Sequence, residues 1–247
     1  MTVVVKHKIK KERMMELTKQ ILENHRACSE GMEWYISNDE PASVEETIEK
    51  LLASDEHEKF GWSNWLLSRV LPLDDKIRYA IFAAELVIDI FEKEFPEDKR
   101  PRNAIESARE YLSNKDVAAA DEACAAAYAA AYAAARNAAY DAARAAANAV
   151  RAAADAACAA AEATYTTYVH YADYAARVAA DAASRAADYA ARAVDYAADA
   201  AADAAACADD AAGEAYAAAY TKIINYGLSL LKKNWKLRLM RRVRLMW

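Results

Sequence analysis

DYAARVAADAASRAADYAARAVDYAADAAAD, residues 173–203, is the stretch that decides the fold. Its polar residues are separated by 4, 4, 3, 4, 4, 3, 4 and 4 positions, an average close to the period of the α-helix. Alanine, the commonest residue here, is the best helix former, and the stretch has no proline. The spacing therefore predicts helix. The polar positions are Asp173, Arg177, Asp181, Ser184, Asp188, Arg192, Asp195, Asp199 and Asp203.

This stretch belongs to a longer segment, residues 117–220, in which 57 of 104 residues are alanine and 11 are tyrosine. A single helix of that length would extend about 156 Å, whereas a compact chain of this size has a radius of gyration near 18 Å. We predict that the segment folds back into about three or four helices, because alanine surfaces allow helix axes to approach closely. Breaks are expected at 113–116, at 164–169 and at Gly213. An extended structural rod is the alternative.

The first 116 residues contain all four prolines and predict shorter helices. The clearest amphipathic pattern runs from Asp74 to Phe95, with Arg78, Glu85, Asp89 and Glu92 on its polar side. The predicted apolar face is Ile77, Ile81, Ala84, Ile88, Phe91 and Phe95. The other predicted helices cover residues 11–26, 30–36, 43–53, a segment around 62–70, and 101–112. The predicted fold class is all-α: a multi-helix bundle with short N-terminal helices and an alanine/tyrosine-rich array folded back on itself.

Charge divides the chain into three regions. Residues 1–116 carry 18 Lys/Arg and 24 Asp/Glu, residues 117–220 carry 6 and 14, and residues 221–247 carry 8 and 0. We predict a helical N-terminal region, an alanine-rich region that packs on it in one domain, and a basic C-terminal tail. The tail either docks on the acidic body or contacts nucleic acid, anionic lipid or an acidic partner.

The composition also argues against several classes of protein. The longest charge-free run of the alanine segment has 13 residues, too few to span a bilayer, and no secretory signal is visible. The four cysteines are far apart, which predicts free, buried thiols and a cytoplasmic location. Neither GxSxG, GxxxxGK[ST] nor HExxH occurs, and His170 lacks a partner at metal-ligand spacing. We therefore predict a non-enzymatic protein without a cofactor or a metal.

Arginines and tyrosines of the alanine segment are candidate binding residues. Each of Arg177, Arg185 and Arg192 lies four residues after an aspartate, as in a solvated helix face with internal ion pairs. The alternative is a cavity in which they bind a nucleotide-like or other anionic ligand. Tyr168 and Tyr171 belong to a cluster that repeats every third residue. This cluster is typical of a packing seam, and the alternative is a surface for base stacking or protein contact.

Two segments resemble a known family. FGWSNWLLSRVL (60–71) and IRYAIFAAELVIDIFEKEFPEDKRPRNAIESAREYL (77–112), followed by alanine/tyrosine-rich helices, resemble the alanine-rich immunity proteins of bacterial polymorphic-toxin systems, which also occur in phage genomes. The resemblance is closest at the turn from Asp98 to Arg102. It implies an all-helical protein that binds and neutralises a protein toxin or, in a phage, a host-defence component. It identifies no catalytic residue, and it leaves homo-oligomerisation open.

The same turn supplies three further binding candidates, Asp98, Arg100 and Arg102. In the alternative interpretation they hold the turn together. Asp98 would then accept hydrogen bonds from the first N–H groups of the next helix, and an arginine would pair with Glu94 or Glu106.

Overall fold

A computed structural model describes residues 15–115, 148, 151–152, 155, 159, 188, 192, 194–203 and 212–245. Across these residues the regular structure is helical, and the only β-type pairing is an isolated antiparallel bridge between Glu16 and Ser43. The prediction of an all-α fold is confirmed. None of the helices in the described ranges combines the length and hydropathy needed to cross a membrane.

Seven helices have defined bounds in the described part of the chain, and the first six follow the sequence pattern closely. Their bounds are α1 Lys19–Asn24, α2 Ser29–Ser37, α3 Val44–Ala53, α4 Lys59–Val70, α5 Leu73–Glu94, α6 Arg100–Asn114 and α7 Ala212–Leu245. Residues 194–203 are also helical and are called the alanine stretch below. The predicted helices from residue 30 onward are confirmed within a few residues. The helix predicted at 11–26 is shorter than expected. Residues 15–18 are not helical, Glu16 pairs with Ser43, and α1 begins at Lys19 after its N-cap Thr18, while residues 11–14 lie outside the described residues.

Short-range signals set several helix ends. The Ser43 hydroxyl accepts a hydrogen bond from the Glu46 N–H at 3.2 Å and caps α3, as the capping-box spacing predicts. Pro101 lies in the first turn of α6, where its missing N–H costs nothing. At the other end of α6, Lys115 has a left-handed conformation with φ of 60°. The predicted break at 113–116 is confirmed there. The break expected at 164–169 lies outside the described residues, and the one expected at Gly213 is wrong, because Gly213 is helical in the first turn of α7.

One cysteine departs from the prediction of buried thiols. Cys28 is exposed, and its Sγ accepts a hydrogen bond from the Gly31 N–H at 3.4 Å. Because the residue caps the N-terminus of α2, its side chain lies outside the core.

The chain divides into two compact units at residues 55/56 and 230/231. The first contains the described residues up to 55 together with 231–245, and the second contains those between 56 and 230. These divisions differ from the sequence-based ones at 116 and 220.

In the first unit, α3 supplies the core residues Val44, Ile48 and Leu51. Tyr35 of α2 is also buried in this unit. Its hydroxyl group donates a hydrogen bond of 3.2 Å to the Leu17 carbonyl oxygen. This buried polar group is therefore satisfied by the backbone.

In the second unit, the core is built on α5. The predicted apolar face is buried from Ile77 to Phe91, and Phe95 lies partly exposed at its end. Helix α6 packs against α5 and buries Ala104, Ile105 and Tyr111. Burying each large apolar side chain stabilises the fold by about 1.5–3 kcal/mol.

Small residues allow a close approach at one point of this unit. A Cβ atom added at Gly227 of α7 would lie 2.9 Å from Leu67 Cδ1 and 2.9 Å from Tyr79 Cε2. Real Cβ atoms essentially never approach so closely. Glycine is therefore required by space at this position, since its φ is not in the left-handed region.

Candidate binding groove

The second unit contains an open groove with a volume of about 380 Å³. Helix α5 contributes four residues at i, i+3, i+4 and i+7, a spacing that places them on one helix face. The remaining residues come from α6 and α7. The groove is lined by Arg78, Ile81, Phe82, Glu85, Arg109, Leu112, Ser113 and Tyr226.

Both arginines of the groove have carboxylate partners. Arg109 forms a salt bridge with Glu85, which also lines the groove. Arg78 donates a hydrogen bond of 2.8 Å to Asp75, whose side chain is only 9% exposed. Because Asp75 does not line the groove, the lining residues carry two positive charges and one negative charge. The groove surface is therefore weakly cationic.

Two aromatic residues line the groove. Phe82 and Tyr226 are stacked, with ring centroids 4.2 Å apart and an interplanar angle of 16°. Burial raises the pKa of Tyr226, and the positive charges of Arg78 and Arg109 act in the opposite direction. The phenol therefore keeps its proton at neutral pH and is available as a hydrogen-bond donor.

This combination of groups defines what the groove can do chemically. Ile81, Phe82 and Leu112 provide apolar surface, while guanidinium and hydroxyl groups provide donors with specific directions. Ligand sites are typically concave and mostly apolar, with a few polar groups that set the orientation of the ligand. The arrangement suits binding of a small molecule or of a side chain from a partner.

A buried polar network lies elsewhere in the same unit. Asp195 of the alanine stretch accepts hydrogen bonds from Asn64 Nδ2 at 2.9 Å and from the Tyr220 hydroxyl at 2.6 Å. The Tyr79 hydroxyl donates to Asn64 Oδ1 at 3.3 Å. Burial raises the pKa of Asp195, although the two hydrogen bonds to its carboxylate oppose the shift. These contacts connect α4, α5 and α7 to the alanine stretch, so we interpret the network as structural.

A second charged cluster also reaches the alanine-rich segment. Arg69 forms an ion pair of 2.5 Å with Asp188, and Lys76 is buried nearby with 7% exposure. Burial is the main cause that lowers the pKa of Lys76 to about 8. The positive charge of Arg69 acts in the same direction, and the negative charge of Asp188 opposes the shift. Asp188 therefore serves α4 as a long-range partner, a role that the i, i+4 pattern with Arg192 does not predict.

The predicted candidates at the α5–α6 turn form internal ion pairs. Arg100 Nε donates to Asp98 Oδ1 at 2.8 Å, and the Arg100 N–H donates to the same oxygen at 3.1 Å. Arg102 contacts Glu92 at 2.7 Å and 2.6 Å. A hydrogen bond from the partner arginine is the main cause that lowers the pKa of both Asp98 and Glu92. The carboxylate partners of Arg102 are thus Glu92 and, at 3.5 Å, Asp89, where the sequence predicted Glu94 or Glu106.

The other predicted candidates have different outcomes. Tyr168, Tyr171, Arg177 and Arg185 lie outside the described residues. Arg192 is exposed on a helix and does not line the groove. Of these five candidates, only Arg192 can therefore be placed, and it lies outside the groove.

Sequence reasoning missed the groove itself. Arg78 and Glu85 were placed on the polar side of α5, but Arg109 and Tyr226 were not associated with them. The local signal at Arg109 is weak, because a single arginine on an amphipathic helix is typical of a solvated face. Only the packing of α6 and α7 along α5 brings the three helices together.

No family model, curated protein or solved structure matches the chain.

Proposed function

We propose that this chain is a non-enzymatic, cytoplasmic, immunity-like or anti-defence protein that binds and neutralises a protein toxin or a host-defence component. Two grounds support the proposal. The first is the family resemblance of residues 60–112, and the second is the groove between α5, α6 and α7, which we take as the binding site. The observation that supports it is the convergence of Arg78, Arg109 and Tyr226 around one concave surface. Arginine and tyrosine are the residue types that most often contribute large binding energies in protein interfaces.

The Arg109–Glu85 pair gives the groove a specific mode of recognition. The Arg109 side chain is 56% exposed and that of Glu85 is 29% exposed, so the pair is accessible to solvent. An exposed ion pair contributes little to stability. A carboxylate of the partner can therefore replace Glu85 at Arg109 at a small cost in folding free energy, while Phe82 and Leu112 contact apolar atoms beside it.

Co-expression with the products of neighbouring genes tests this function. We expect a stable complex with one of them, recovered by affinity purification, and protection of cells against its toxicity. An Arg109→Glu substitution should abolish both effects, because it places a second negative charge beside Glu85. Failure of every neighbouring product to bind or to be neutralised would contradict the proposal.

Arg102→Glu is the matched control. Arg102 is 41% exposed, is paired with a carboxylate of α5 and does not line the groove. We expect it to leave binding unchanged. Loss of binding with Arg102→Glu alone would instead identify the Asp98–Arg102 turn as the contact surface and would contradict the assignment to the groove.

The second candidate function is a sponge that sequesters a nucleotide or another anionic small molecule. The cationic lining and the volume of about 380 Å³ favour it, since known ligand pockets begin at about 300 Å³. Native mass spectrometry with a nucleotide panel should then show one bound ligand, which Arg109→Glu removes. The absence of any bound nucleotide or stabilising anion would rule out this alternative.

A further inference from the structure

The last turns of α7 form a surface that the proposed function does not use. Residues 232–245 contain seven lysines and arginines and no aspartate or glutamate. They are helical and belong to the first unit. A run of this charge without any compensating carboxylate of its own attracts anionic partners.

Four exposed residues of this segment share one face of the helix. Lys233, Lys236, Leu237 and Met240 lie at i, i+3, i+4 and i+7, and all four are exposed. We call them the terminal face. Leu237 is 44% exposed and Met240 is 55% exposed. Within the described part of the chain only one other large apolar residue, Ile36, is comparably exposed.

Of the three lysines of this segment, Lys232, Lys233 and Lys236, one is paired within the unit. Lys232 pairs with Glu45 at 2.6 Å, which anchors the beginning of the segment to α3. Lys233 and Lys236 form no salt bridge with any residue that the structure describes. The terminal face therefore presents cationic groups and apolar side chains together to solvent.

We propose that the terminal face binds the surface of a membrane rich in anionic lipid. Clusters of four to eight cations on a helix are attracted to anionic headgroups, and each lysine near the surface contributes about 1 kcal/mol. Leucine and methionine reach the boundary between headgroups and acyl chains, while lysine stems extend along it with their charges in water. The helix lies along the membrane in this arrangement and does not cross it.

The apolar residues favour lipid over nucleic acid as the partner. Non-specific binding to the phosphate backbone is driven mainly by lysine and arginine and does not need exposed apolar side chains. Leu237 and Met240 gain nothing from a phosphate backbone, whereas their transfer from water into the membrane boundary is favourable. The combination of both residue types on one exposed face therefore points to a lipid surface. This inference is independent of the groove and of its partner.

Vesicle co-sedimentation of the full-length chain tests the proposal. We expect binding to phosphatidylcholine vesicles that contain 30% phosphatidylserine, on the order of the anionic content that recruits basic helices, and no binding to pure phosphatidylcholine. Lys233→Glu/Lys236→Glu should weaken binding by about thirtyfold or more. Leu237→Gln/Met240→Gln, which keeps every charge, should weaken it by about tenfold.

The matched control is Lys93→Glu/Lys222→Glu, which reverses two exposed lysines outside the terminal face. It changes the net charge by the same amount as the Lys233/Lys236 pair. We expect it to retain vesicle binding within about threefold, because neither lysine belongs to the terminal face. Equal losses in the two lysine pairs would overturn the proposal, because they would show a response to net charge alone. Circular dichroism checks whether each variant is folded. We expect every variant to fold, because the substituted side chains are exposed.

A DNA-binding assay distinguishes lipid binding from the remaining alternative, binding of nucleic acid. We expect the glutamine pair to leave binding of a 20-base-pair duplex unchanged, since that binding depends on charge alone. No binding to anionic vesicles in low salt would overturn the proposal. Vesicle binding that the glutamine pair leaves intact would also overturn it and would assign the face to polyanions in general.

Discussion

Helix α5 and the alanine stretch are both buried in the second unit, but they are held by different forces. Helix α5 buries large side chains, among them Ile77, Tyr79 and Phe91, each with 0% exposure. The alanine stretch buries Val194 and three alanines at 0% exposure, and the hydrogen-bonded carboxylate of Asp195 is partly buried beside them. Alanine removes little apolar area from water, so such a helix gains less from burial.

This difference shows how an alanine-rich helix acquires a defined position. Large side chains interlock and set the register of α5 through packing. Alanines pack closely but leave few features that distinguish one register from the next. In the alanine stretch, the hydrogen bonds from Asn64 and Tyr220 to Asp195 supply that distinction. The predictions below test this division between packing and polar contacts.

Phe91→Ala should give the largest effect. It removes a fully buried aromatic side chain and should lower the free energy of unfolding by about 3–5 kcal/mol. Ala198→Gly, at an equally buried position of the alanine stretch, should cost only about 1 kcal/mol, mainly through lost helix propensity. Denaturant unfolding measures both values. Similar losses would show that the two helices contribute equally through packing.

Asp195→Ala should destabilise the chain by about 2–3 kcal/mol, because it leaves two hydrogen-bond donors without their acceptor. Asp195→Asn should cost less, since its carbonyl oxygen can still accept from Tyr220. The same unfolding experiment compares them. A cost for Asp195→Ala no larger than that of Ala198→Gly would mean that the polar network does not position the stretch.

Gly227→Ala should cost about 1–2 kcal/mol, even though alanine favours helices. The new methyl group would overlap Leu67 and Tyr79, and overpacking of this kind outweighs the gain in propensity. Gly213→Ala is the control, because a Cβ there meets no atom within 4 Å. It should stabilise the chain or leave it unchanged. A gain in stability at both glycines would show that the contact with Tyr79 can relax without cost.

The smallest effect is a pH dependence from Asp195. Burial raises its pKa above the value in an unfolded chain, so the folded state retains this proton at pH values where the unfolded state has lost it. The stability of the protein relative to Asp195→Asn should therefore increase as the pH falls from 7 toward about 4. Carboxylates with lowered pKa values, such as Glu92, shift both proteins equally and cancel in the difference. A difference that stays constant would place Asp195 in a solvated environment.

Much of the fold of the first 115 residues could be predicted because its signals are local. Ser43 and Pro101 mark helix starts through their own side chains, and the apolar spacing along α5 defines its buried face. The groove could not be predicted in the same way. Arg78, Arg109 and Tyr226 lie far apart in the chain, and each occupies a position that would suit a solvated helix face equally well.

The sequence by itself determined the helices, because propensity, capping and 3.6-residue periodicity act over a few neighbouring residues. It also determined the charge contrast between the alanine-rich segment and the last turns of α7. The tertiary structure decided which contacts individual polar residues make. Asp195 became a partly buried acceptor and Asp188 an ion-pair partner of Arg69 because other helices pack beside them. Contacts between residues distant in the chain depend on how the helices pack together, and local sequence patterns do not determine that packing.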